Sequence, residues 1–277
     1  MLQVKVGLVD TMGKVNPTTM AAAAAALNVQ ATRDLPQFWS VNAAVSYLPD
    51  PNSIPQGVWP IQIVESLPKG EGGFHLTNNN QPYAKVIYTP GGDDWTIDAS
   101  HEMVEMLIDP NGNRLQTSTA IGIVGGNIKD IVGKFEYLVE ACDPCEANNY
   151  AYSIDGIMVS DFLTPHFYDL VAAPGVRYSF TGAIKTPREM LPGGYISYVD
   201  PQSDEMQQIL WVDPGPPTLR NLGKVPPDFS LREFVETETS QLVHGKRKAA
   251  SKAVVAARDK YRTALASAAR SRAKRYA

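Results

Sequence analysis

Apolar and polar positions change period several times along the chain. From Met1 to Val9 (MLQVKVGLV) they alternate, the pattern of a half-buried strand. Val41 to Leu48, Val58 to Val64 (VWPIQIV) and Tyr83 to Tyr88 (YAKVIY) predict three more strands. Pro49, Pro51 and Pro55, then Gly70, Gly72 and Gly73, break the chain between them. Asn16-Pro17 starts a helix with proline in its first turn, which runs through Ala21 to Ala26 as far as about Pro36. Helical spacing returns in 98–109, where Met103, Val104, Met106 and Leu107 form one stripe, and again from Lys129 to Ala141. Tyr150 to Phe162 reads as two short strands about Asp155-Gly156, and Tyr195 to Val199 and Gln208 to Val212 as later strands. The fold class expected from this order is α+β.

Prolines at 214, 216, 217, 226 and 227 divide the chain into a body, 1–215, a proline-rich linker, 216–230, and an Ala/Lys/Arg-rich tail, 231–277, predicted to be at least partly helical. The net charge of −4 conceals an asymmetry. His244 to Ala277 holds eleven Lys/Arg against one acid, Asp259, or +10, which leaves 14 basic and 28 acidic residues, or −14, for the rest. Such a tail is expected to bind an acidic protein, including the body of another copy, or nucleic acid without sequence preference. Apolar residues are 44% of the chain, enough for a sizeable core. The first residues read as a strand and not as a signal peptide, and the alanine run is too short to span a bilayer, so a soluble protein without membrane partners is expected. Cys142 and Cys145 are too few for a disulfide framework or a four-thiolate zinc site; they permit one local disulfide or two free thiols with no catalytic role.

The chemistry concentrates in Ser100-His-Glu-Met-Val-Glu-Met-Leu-Ile-Asp109. Residues four apart on a helix share a face, so His101 and Glu105 can chelate one ion while Glu102 reaches a metal-bound water as general base. This resembles the HExxH helix of zincin metallopeptidases, with a carboxylate at the second ligand position. The segment is also similar to an uncharacterised bacterial and phage-associated group with a Ser-His-Glu-x-x-Glu helix. The resemblance implies a zincin-like mixed sheet before the active-site helix, an edge strand along the substrate at Tyr83 to Tyr88, and hydrolysis of a peptide substrate. By analogy with gluzincins it implies a third ligand on the following helix, Glu140. Zn²⁺ is the expected ion, with Ca²⁺ or Mn²⁺ as alternatives, because a carboxylate in place of imidazole weakens the ion's power to acidify water.

Asp109, two turns from His101, suits a helix-end role, and Asp143 suits orientation of the His101 ring. Ser100 and Asp98 read as helix caps. His75, His166 and Tyr195 are candidates for a substrate groove, a ligand and an oxyanion donor, each with a plain loop or packing alternative. The rival to a peptidase is a structural or assembly protein, a virion or particle component, self-associating through a degenerate zincin fold and its basic tail.

Overall fold

A computed structural model of the chain describes residues 3–67 and 72–239. The fold is α+β. A five-stranded sheet is built from β1 (Val4–Asp10), β2 (Ala43–Leu48), β3 (Val58–Val64), β4 (Gly73–Asn78) and β5 (Gln81–Ile87), in the order β2-β1-β3-β5-β4. Its first four members in that order run parallel and β4 is the antiparallel edge. Parallel strands need crossovers. α1 (Pro17–Val29) supplies the first, with Asn16 accepting the Thr18 N–H at its start, and it runs on into a π-turn and a 3₁₀ turn as far as Gln37. α2 (Asp94–Ile108) leaves β5 and packs back against it; α1 and α2 touch each other and the small hairpin of β8 (Tyr152–Ile154) and β9 (Ile157–Val159).

A second five-stranded sheet, antiparallel, contains β6 (Leu115–Val124), β7 (Asn127–Leu138), β10 (Tyr195–Asp200), β11 (Glu205–Leu210) and β12 (Thr218–Gly223), in the order β12-β11-β10-β7-β6. Both sheets and α2 contribute to one continuous core, from Leu8 and Ile61 through Met103 and Met106 to Tyr137 and Tyr198. A smaller cluster of Leu138, Met206, Phe234 and Val235 seats α3 (Leu231–Thr239) on the second sheet.

Four expectations are corrected. The segment Lys129 to Ala141 is not a helix: most of it is β7, paired with β6 across a turn in which Gly125 and Gly126 both take positive φ. β4 was not expected, and it, rather than Tyr83 to Tyr88, is the edge strand; Asn79 and Asn80 adopt the left-handed conformation that closes the tight β4–β5 turn. α2 begins at Asp94 with Asp93 at its cap, so Asp98 and Ser100 lie inside the helix. Of 216–230, expected as a linker, Thr218–Gly223 is β12, paired with β11. The tail, 231–277, is described only through α3; residues 240–277 and the basic segment expected to bind partners lie outside the described residues. Among the described residues no helix is long and apolar enough to cross a membrane.

Candidate metal centre

α2 is buried from Trp95 to Ile108. Enclosure on every side forces its polar residues to find partners inside the protein. Ser100 Oγ accepts the Ser160 N–H at 2.5 Å and donates to Ile97 O, which ties mid-helix to the chain after β9. The helix ends where Asp109 accepts the N–H groups of Asn113 (3.1 Å) and Arg114 (2.7 Å), so that carboxylate is occupied in closing the turn.

One turn apart on α2, His101 and Glu105 face the same point: His101 Nε2 lies 3.2 Å from Glu105 Oε2. Asp143 Oδ1 is also 3.2 Å from that nitrogen. Glu140, just beyond β7, joins Glu105 and Asp143 with carboxylate oxygens within 4.8 Å of one another. The edge strand contributes His75, whose Nδ1 lies 3.1 Å from Glu102 Oε2 and 3.7 Å from Glu105 Oε2. Glu102 thus lies against β4, where a Cβ on Gly73 would come within 3.0 Å of its Oε1. Exposure of His75, His101, Glu102, Glu105, Glu140 and Asp143 is 5% or less for each.

Backbone geometry fixes the far wall. The Cys142 N–H donates to Glu105 Oε1 at 2.9 Å, leaving Oε2 to face the two histidines. Cys142 and Cys145 are free thiols, both buried. Gly194 lets β10 start close against this loop; a Cβ there would meet the Asp143 and Pro144 carbonyl oxygens at 2.6 and 2.7 Å. Tyr195 follows, its hydroxyl 3.4 Å from Arg232 Nη1. That Arg232 nitrogen also donates to Glu140 Oε2 at 3.0 Å and lies 3.7 Å from Asp143 Oδ2. A cavity of about 10 Å³ beside Glu140, Asp143 and Tyr195 has room for about one water.

Four acids meet three basic groups in this cluster. Glu102, Glu105, Glu140 and Asp143 surround one guanidinium and two imidazoles. Burial opposes charge on every group, and the mutual field decides the outcome. For His101 burial lowers the pKa, but Glu105, Asp143 and Glu102 together carry it well above the ordinary imidazole value. Burial would raise Glu105, yet His101, Arg232 and His75 hold it well below the usual carboxylate range. Glu102 is likewise lowered, burial being outweighed by the His75 hydrogen bond and His101. Across the site burial wins: Glu140 is pushed well up despite Arg232, and Asp143, next to Glu105, is raised to about 8.

Buried Glu105 Oε2, Glu140 Oε1 and both Asp143 oxygens lack a well-formed hydrogen bond. A divalent cation fits this donor set. At an ion with bonds of about 2.0–2.1 Å, tetrahedral ligand atoms lie roughly 3.3–3.4 Å apart, and the two contacts at His101 Nε2 are both 3.2 Å.

Of the four residues expected at the centre, His101, Glu102, Glu105 and Glu140, Glu105 is shared by three clusters, one with His101 and Cys142, one with His75 and Glu102 and one with Glu140 and Asp143. Among the described residues His101 and Glu140 share no cluster, and Glu140 comes from just beyond a strand instead of a helix. Asp143 was expected at the other ring nitrogen of His101, but it lies on Nε2, the nitrogen that also faces Glu105; His75, a groove residue or a plain loop residue on the sequence, is in contact with Glu102. Arg232 was missed, and no local signal points to it. His166 pairs with Asp169 in a surface turn, its side chain 51% exposed. No family, no curated protein and no solved structure matches the chain.

Proposed function

We propose that the chain is a metal-dependent, peptidase-like protein. Its divalent ion, zinc by preference with calcium or manganese as alternatives, is held by His101, Glu105 and Glu140, with Asp143 beside His101. The observation that carries this reading is Glu105 Oε2, buried without a well-formed hydrogen bond and facing His101 Nε2 at 3.2 Å. The order of a parallel sheet, an antiparallel edge strand and then the ligand helix supports a zincin-like arrangement. A bound ion would polarise a peptide carbonyl and acidify water. Glu102, kept as a carboxylate by His75, is placed to accept the proton of that water, and β4 offers a free edge for an extended peptide.

Burial of the whole cluster favours a second reading. In it the ion is structural and the chain is an assembly component that uses its basic tail on a partner or nucleic acid. Metal analysis of the purified protein tests the ion: about one per chain is expected, lost in His101→Ala. Hydrolysis of unfolded casein, abolished by Glu102→Gln, supports the peptidase reading; a metal-loaded but inert protein supports the structural one.

A further inference from the structure

α3 carries a feature that a helix packed for stability alone does not need. Arg232 is 3% exposed, points into the acidic end of the site and is 92 residues from its partner Glu140. Its guanidinium lies on Glu140, Asp143 and Glu236, and its backbone N–H donates to Gly112 O at 2.9 Å. The fit there is close: Gly112 has φ +62° and a Cβ on it would meet Arg232 Cβ at 2.6 Å. The preceding Leu231 N–H donates to the Asn113 side chain. Phe234 and Val235 pack on the second sheet. The helix is therefore seated on that sheet while Arg232 reaches from it into the acidic cluster.

We propose that α3 is an autoinhibitory strap: docked, it closes the acidic end of the site through Arg232, and released, it opens the site to substrate. This rests on the metal-centre reading for what is covered, though not for whether the strap opens. Detachment of the helix breaks the Arg232 ion pairs and the N–H bonds of Leu231 and Arg232 but costs little apolar burial. Its apolar anchors belong to the small cluster, separate from the main core, so they can leave without disturbing α1, α2 or the first sheet. The chain before it, Pro226 to Phe229, is exposed and is held by a turn from Phe229 N–H to Pro226 O. Local opening of such a unit requires much less than global unfolding.

The test uses the full chain in two variants, Arg232→Met, which keeps the stem without the charge, and Phe234→Ala, which loosens the anchor away from the acids. Hydrogen exchange read by mass spectrometry should show 231–239 opening well before α2 in the wild type. Both variants should speed exchange in 231–239 and 139–146 by about tenfold or more while α2 stays protected. Zinc-loaded variants should also lose zinc to a chelator about tenfold faster. Protection of 231–239 equal to that of α2 and unchanged in both variants overturns the strap. Absence of zinc from the wild type overturns the metal reading alone, since the exchange result stands without it. A variant whose α2 loses protection has unfolded, and the other variant then decides.

Discussion

Glu105→Gln separates the fold from the ion. Glu105 Oε1 accepts the Cys142 N–H at 2.9 Å and Oε2 faces His101 at 3.2 Å. Glutamine has the same shape, and its carbonyl can go on accepting from Cys142. Its other end then offers N–H donors where an ion needs a lone pair. The fold should persist and the ion should be lost or weakened. With free zinc a thousandfold above Kd, a bound ion stabilises the wild type by about 4 kcal/mol. For a body of this size that raises Tm by roughly 8–16 °C. If the substitution weakens binding about a hundredfold, the same zinc is only about tenfold above Kd, and the gain falls to about 1.4 kcal/mol, or roughly 3–6 °C. Calorimetric scans of chelator-stripped wild type and variant, at matched buffered zinc, read this difference directly. Equal zinc-dependent gains in the two proteins, or none in the wild type, would refute the placement of the ion at Glu105.

Ser100→Ala removes the acceptor of the buried Ser160 N–H and should destabilise the protein by about 1–3 kcal/mol; a urea midpoint unchanged from wild type would contradict this. Metal uptake near neutral pH should release protons, because His101 and Glu140 are raised and Asp143 is raised to about 8, so these groups hold protons that the ion displaces. Apparent affinity should therefore rise with pH from 6 to 8, and titration heats should differ between buffers of different ionisation enthalpy; heats independent of buffer would argue against it. Glu105→His, which recreates the HExxH spacing, should bind zinc more weakly than wild type in a competition titration, and tighter binding would count against the account of the Cys142 contact given below.

Legibility in the sequence followed the range of the interactions. The i, i+4 pair His101 and Glu105 and the alternation in β1, β3 and β5 are local, and the structure places them as their spacing predicts. β7 was misread because Ile128, Ile131, Val132, Phe135 and Leu138 also fit a helical stripe. What decides the matter is pairing with β6, and the stripe residues Ile131 and Val132 are in fact exposed. β4 was hidden by its glycines and by the asparagine turn, although two left-handed asparagines in succession are a hairpin signal. Glu140 reached the centre under either reading, since what places it is the buried Leu138-Val139 step before it. Arg232 was illegible: an ion pair spanning 92 residues, from beyond a run of prolines, leaves no trace in spacing or periodicity.

The carboxylate at position 105 is better understood as a requirement of this pocket than as a decayed imidazole. A metal-bound histidine presents one nitrogen to the ion and needs an acceptor for the N–H of the other. The backbone group that meets the Glu105 side chain is a donor, the Cys142 N–H. Histidine at 105 would set donor against donor and leave a buried N–H unpaired, at about 1–3 kcal/mol. A carboxylate accepts from the backbone through Oε1 and leaves Oε2 facing His101, where the proposed ion would sit. The same substitution makes the centre more anionic, which favours holding a cation over acidifying its water. The contact of Glu102 with His75 on the edge strand, together with His101, holds its pKa down in a site where burial alone would raise it.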